Sequence, residues 1–198
     1  KLWKWADEND IPDACLPRKI DKLLSMVSLV LFARDYRWIH DELVSSLPEE
    51  ISVLRELKFI KLGEYGRGES NICCLGKLSV SICNLKNLQS LVIDEQALKA
   101  IPNEIGNLEN LEVLSVNSNF IIEIPREIGQ LKNLKFLDLT LNSLKELPDE
   151  ITNLTGLETF HYDTDDVKLS DKQLEWIMAL KANGCELYDD SQVDDYIP

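Results

Sequence analysis

Apolar residues recur along this chain with a period of 23. Residues 101–123, IPNEIGNLENLEVLSVNSNFIIE, and residues 124–146, IPREIGQLKNLKFLDLTLNSLKE, align position for position. Pro102, Pro125 and Pro148 mark the frame. Each unit carries L-x-x-L-x-L/V-x-x-N-x-L/I, here Leu111, Leu114, Val116, Asn119, Ile121 and then Leu134, Leu137, Leu139, Asn142, Leu144. Within each unit the apolar positions of the L-x-L segment alternate with others, the period of a strand with one buried face. A fixed period of this length predicts a solenoid, in which each unit buries its apolar side only against its neighbours.

The frame extends in both directions. Leu16-Pro17, Leu47-Pro48 and Leu78-Ser79 are 31 residues apart, so the first two repeats each carry 8 extra residues. Their strand positions survive as Met26, Leu29, Leu31 and Leu57, Ile60, Leu62, which places the additions after the strand, in 33–46 and 64–77. The asparagine of each unit suits an interior turn, because its amide both donates to and accepts from backbone groups. Gln96 holds this place in the third repeat and is expected to serve less well; Asp165 holds it in the last, where an ionised carboxylate cannot donate.

The ends differ from the repeats. Leu2, Trp3, Trp5 and Ala6 read as an amphipathic cap over the first unit, whose apolar end would otherwise face water. Ser170 and Gln173 form a capping box, and Leu174, Ile177 and Met178 recur at helical spacing beside Trp176 and Leu180. Gly184 supplies a left-handed stop, and 185–188 read as one more short strand.

Stacking the units puts the outward strand residues into columns about 4.8 Å apart. The first runs Ser28, Phe59, Ser90, Val113, Phe136, Thr159; the second Val30, Lys61, Val92, Ser115, Asp138, His161; the third Phe32, Gly63, Asp94, Asn117, Thr140, Asp163. An apolar patch on such a face marks an interaction site. The candidate partner-binding residues are therefore Phe59, Val92, Val113, Phe136, Asp138 and His161, joined by Arg34, Tyr36, Arg37, Tyr65 and Arg67 from the two additions, since Tyr and Arg are enriched at interface hot spots.

Charge narrows the partner. The net charge is −14, and residues 158–198 alone contribute −8. This disfavours nucleic acid, which needs Lys and Arg against phosphates, and points to a basic partner toward the C-terminal end. No run of 18 apolar residues exists, so membrane insertion is not expected. The start at Lys1 implies a processed or trimmed product, with the cytoplasm as the default compartment and secretion or surface exposure as the alternative. Five cysteines without C-x-x-C spacing give neither a standard zinc site nor a complete disulfide framework. The run Gly63–Gly68 is glycine-rich, but no helix pattern opens after it, so a phosphate loop fails on context. His40 and His161 lie several repeats apart, which leaves no shared metal; no cofactor is expected. His161 has Asp138 and Asp163 as neighbours, which reads as a surface ion pair rather than a catalyst.

The L-P-x-E-I-G-x-L-x-x-L stretch at 101–111 and 124–134 resembles leucine-rich repeat proteins, most of all small bacterial ones, with flanks such as WADENDIP and EWIMALKANGC pointing the same way. That resemblance implies an α/β fold, a right-handed leucine-rich repeat solenoid forming a horseshoe segment with a parallel concave sheet. It also implies a non-enzymatic module that binds protein. The expected organisation is one domain, 1–198, with an N-terminal cap over 1–15, about six repeats over 16–169, a helix-strand cap over 170–188 and an acidic tail over 189–198. Two rivals stand beside it. One is a thiol-dependent enzyme or redox-sensing protein using Cys73, Cys74 and Cys83. The other is a self-associating structural protein, a homo-oligomer.

Overall fold

The computed structural model of this protein describes residues 1–8, 11, 13–31, 47–63, 75–163 and 166–188. Seven parallel strands form one open sheet in chain order: β1 Ser28–Leu31, β2 Phe59–Leu62, β3 Ser90–Ile93, β4 Val113–Ser115, β5 Phe136–Asp138, β6 Thr159–His161 and β7 Glu186–Tyr188. Equivalent repeat positions pair across every junction, for example Leu91 with Leu114, Leu114 with Leu137 and Leu137 with Phe160. A register slip would turn this apolar row out to water, so the 23-residue pattern itself fixes the pairing. Leu91, Leu114, Leu137 and Phe160 are fully buried in the one core that runs the length of the stack.

From the second repeat on, the chain returns through five-residue 3₁₀ helices: Glu49–Val53, Val80–Asn84, Asn103–Asn107, Arg126–Gln130 and Asp149–Asn153. Pro48, Pro102, Pro125 and Pro148 precede four of them with φ between −66° and −68°. Proline is suited to that place because its φ is already set and its missing N–H is not needed there. Its carbonyl accepts from the isoleucine three residues on, as in Ile105 N–H to Pro102 O at 3.0 Å and Ile128 N–H to Pro125 O at 3.0 Å. Ser79 stands where the third repeat lacks proline, and its hydroxyl accepts from Ser81 N–H at 3.3 Å.

Gly129 lies in the 3₁₀ helix of the fifth repeat, where a Cβ would collide with the Glu150 carbonyl of the next. Neighbouring turns pack there backbone to backbone. Gly129→Ala should therefore force them apart and lower unfolding stability by about 1–3 kcal/mol. A urea midpoint equal to the parent's would show that the turns can separate freely.

Helices close the two ends. In α1 (Leu2–Glu8), Leu2 and Ala6 are buried while Trp3 and Trp5 pack half-buried against the core. The Trp3 indole N–H donates to Pro17 O at 3.0 Å, so this ring is part of the cap. The first repeat returns through a true α-helix, α2 (Ile20–Leu24).

At the other end, α3 (Asp171–Ala182) begins with the expected capping box between Ser170 and Gln173, and Gly184 follows it with φ 87°. The buried face departs from expectation. Leu174 and Met178 are exposed, and the helix instead buries Gln173, Trp176, Ile177 and Leu180. Hydrogen bonding decides it: the Gln173 amide donates to Leu147 O at 2.8 Å and the Trp176 indole to Leu154 O at 3.2 Å. Both groups satisfy carbonyls of the last repeat that the helix covers.

The turns after the strands carry the asparagine ladder. Asn119 Oδ1 accepts from the N–H groups of Gln96 (3.1 Å) and Leu98 (2.9 Å), while its Nδ2 donates to the carbonyls of Ile93, Val116 and Asn117. Asn142 repeats the arrangement one unit on, accepting from Ile121 and donating to Val116, Leu139 and Thr140. Gln96 donates within its own turn, to Asp94 O and Glu95 O, both at 3.2 Å. Asp165 lies outside the described residues. The Asp163 carboxylate accepts from Leu141 and Asn142 N–H, so a residue expected on the outer face is buried and serves the preceding turn.

A second ladder was not read from the sequence. Asn87, Asn110 and Asn133, just before the strands, donate to the carbonyls of Arg55, Lys86 and Glu109 at 2.8–2.9 Å. Their own 23-residue spacing was the signal that could have revealed it.

Candidate functional site

The concave face of the sheet is assembled by strand register. Pairing brings Ser28, Phe59, Ser90, Val113, Phe136, Thr159 and Glu186 into one column, and Val30, Lys61, Val92, Ser115, Asp138, His161 and Tyr188 into the next. Phe59 and Val30 are exposed, at 46% and 37%, whereas Val92, Val113, Phe136, Asp138 and His161 are half-buried. Phe32 and the candidate loop residues Arg34, Tyr36, Arg37, Tyr65 and Arg67 lie outside the described residues.

The second and third columns are less open than strand alternation alone suggests, because their polar side chains bond along the face. Ser115 is buried and donates its hydroxyl to Asp94 Oδ1 at 2.6 Å; Asn117 N–H donates to the same oxygen at 3.0 Å. Asn117 Nδ2 donates to Thr140 Oγ1, and Thr140 Oγ1 to Asp138 Oδ1, each at 2.6 Å. Asp138 Oδ2 in turn lies 3.5 Å from His161 Nδ1. A chain of polar groups thus links the third repeat to the sixth and holds the face in one conformation.

Two carboxylates in this chain titrate in opposite directions. Burial pushes Asp94 above the usual carboxylate range, opposed by the bonds from Ser115 and Asn117, and the charge of Asp138 adds to the rise. Burial also works against ionisation of Asp138, but hydrogen bonds from His161 and Thr140 outweigh it and hold that group below the range. The His161 ring is set edge-to-face between Phe136, at 5.3 Å, and Tyr188, at 4.7 Å, and its Nε2 is covered without a hydrogen-bond partner. These contacts tie the terminal strand β7 to the apolar column.

Thiol chemistry fares worse. Cys83 is fully buried, and burial, aided by the charge of Glu104, pushes its thiol up to about 12. A group so protonated at neutral pH is a poor nucleophile. Cys73 and Cys74 lie outside the described residues. Among the described residues no cluster of His, Cys, Asp and Glu is arranged to hold a metal, and no helix is long and apolar enough to cross a membrane.

The sequence reading missed a second group of exposed apolar residues. Phe120 and Ile122, on the segment after β4, and Leu141, after β5, are 61%, 65% and 50% exposed. Leu141 also has φ 55°, as Ser118 (54°) and Glu95 (59°) do one and two repeats earlier.

Comparison with known proteins adds the family context. The leucine rich repeat family profile matches residues 86–144. A leucine-rich repeat protein of Leptospira interrogans is 27% identical with a TM-score of 0.50, over 87% of this chain and 51% of the other. A plant peptide hormone receptor, RGFR1, solved in complex with RGF2, is 29% identical with a TM-score of 0.50, over 72% of this chain and 25% of the other. An internalin of Listeria monocytogenes shares the fold at 18% identity and a TM-score of 0.50, over 90% of this chain and 50% of the other. The chain thus spans about half the length of the two bacterial proteins. The comparison with curated proteins found no match.

Proposed function

Because this chain is a leucine-rich repeat protein similar to bacterial ones, we propose that it is a non-catalytic recognition module that takes a protein partner on its concave face. The observation that carries this reading is the apolar column Phe59, Val113 and Phe136 on the open side of a sheet whose other side is the core. Apolar area at such positions costs solubility and stabilises nothing in the isolated protein unless it is covered. The polar chain from Asp94 to His161 adds pre-organisation, since a face already locked by hydrogen bonds loses little entropy when it binds. The peptide hormone receptor above, solved with its peptide, supports a peptide or protein as the class of ligand.

The test is the double variant Phe59→Asp/Phe136→Asp, titrated with a partner isolated by affinity capture. Placing two carboxylates in the column should weaken binding at least about thirtyfold, the scale of a lost hot spot. Both side chains lie outside the core, so the far-ultraviolet circular dichroism should be unchanged. Parent-like affinity with an intact fold removes the concave face from consideration.

A further inference from the structure

Charge is segregated along the concave face. At the β1–β2 end the outward and flanking positions are Val27, Ser28, Val30, Lys58, Phe59, Lys61 and Gly63, with two bases and no acid. At the β5–β7 end they include the half-buried Asp138 and the exposed Glu158 and Glu186, against one base, Lys135, whose Nζ sits 2.8 Å from Glu112. Asp138 accepts from the Thr140 N–H and hydroxyl and lies 3.5 Å from His161 Nδ1. The Thr140 donors are neutral, so they orient the carboxylate without cancelling its charge. Large exposed apolar side chains lie at the opposite end: Val27, Val30 and Phe59 are all exposed.

Resting on the concave-face reading, we propose that the ligand is an extended polypeptide segment, apolar where it crosses β1–β5 and cationic where it crosses β6 and β7. The apolar stripe is one column wide. On one side it is bordered by Lys58, Gln89, Glu112, Lys135 and Glu158, and on the other by the second column. A strip so narrow fits the alternating side chains of an extended chain better than the broad surface of a folded domain. Seven strands at about 4.8 Å span about 29 Å, the reach of roughly nine extended residues. The acidic end repels phosphates and selects lysine or arginine.

The probe is a synthetic nine-residue peptide with phenylalanines at alternate positions of one half and three lysines in the other, made in both sequence orders. Two counterparts carry glutamate for lysine and serine for phenylalanine. Binding is measured by calorimetric titration of the full chain at physiological and at raised ionic strength. One order of the cationic, apolar probe should bind, more weakly at high salt, while neither counterpart does. Glu158→Gln/Glu186→Gln removes two exposed acids, leaves the core untouched and should weaken that probe about threefold to tenfold.

Equal binding by the glutamate probe, or no effect of the Glu158→Gln/Glu186→Gln pair, overturns the charge assignment. Equal binding by the serine probe overturns the apolar half, and binding by none of the probes at millimolar concentration overturns the proposal as a whole. The concave-face reading fails separately, through an unchanged affinity of the Phe59→Asp/Phe136→Asp variant. A glutamate probe that binds and is lost in that variant would keep the face and reverse the partner's charge.

Discussion

Asn119→Ala should cost about 3–5 kcal/mol of unfolding stability, more than an ordinary polar-to-alanine change. The side chain is 4% exposed and makes five hydrogen bonds to backbone groups of two successive repeats. Alanine leaves the N–H groups of Gln96 and Leu98 without their acceptor and the Ile93 carbonyl without its side-chain donor, while Val116 O keeps the Asn142 amide and Asn117 O keeps Glu95 N–H. Each buried orphan costs about 1–3 kcal/mol, and water entering the space recovers part of the sum. Asn119→Asp separates the two halves of the amide's work. The introduced carboxylate can still accept from the N–H groups but faces the three carbonyls as an anion, so its folded-state pKa should be raised. A raised pKa contributes stability that is fully present below the unfolded value and lost as pH rises through the folded one. This variant should therefore be closer to the parent at pH 3 than at pH 7. Urea unfolding at the two pH values checks both statements; a loss under about 1 kcal/mol for Asn119→Ala would mean that water replaces the amide with ease.

Leu137→Ala is the second large effect, at about 2–5 kcal/mol, and it acts through the core. Leu137 is fully buried on β5, with Leu114 and Phe160 as its cross-strand neighbours. Truncation opens a cavity between units that contact only their neighbours, so the wall cannot easily be refilled from elsewhere. In a one-dimensional stack the damage also weakens coupling. The sixth repeat with α3 and β7 should gain the freedom to open on its own, and amide hydrogen exchange should show Phe160 and Leu187 losing protection before Leu91 does. A uniform loss of protection from β1 to β7 would contradict the nearest-neighbour picture.

The repetitive part of this architecture was legible because each repeat imposes the same demand. A leucine at each inward position and an asparagine at each turn have one solution, and the 23-residue period announces it through Leu114 and Leu137. The register, and with it the columns carrying Phe59 and Phe136, followed from counting alone. What could not be read was which polar atoms would meet. Asp163 stood in an outward column by alternation, yet two unpaired N–H groups of the fifth repeat draw it inward. Leu174 and Met178 looked like the core of α3 by hydropathy, but a glutamine and a tryptophan with carbonyls to satisfy outcompete them for the buried face. Hydropathy measures the cost of wetting a side chain and says nothing of the partner waiting for it. The binding column was visible in outline, while its closure by the Asp94–Asn117–Thr140–Asp138 chain required distances.

The two asparagine ladders also give the molecule a grain. Asn87, Asn110 and Asn133 stitch one rim of the sheet, and Asn119 and Asn142 stitch the other, each stitch reaching back a single repeat. Gly156 falls where the first seam would have its next stitch, so on that rim the sixth repeat lacks the side-chain bond and holds to the fifth through Glu158 and Thr159 N–H, which donate to Lys135 O. Under tension applied at its ends, such a body gives way like a zip. Once α3 detaches, the sixth repeat peels first, and each further rupture down to the third repeat releases 23 residues, about 8 nm of chain.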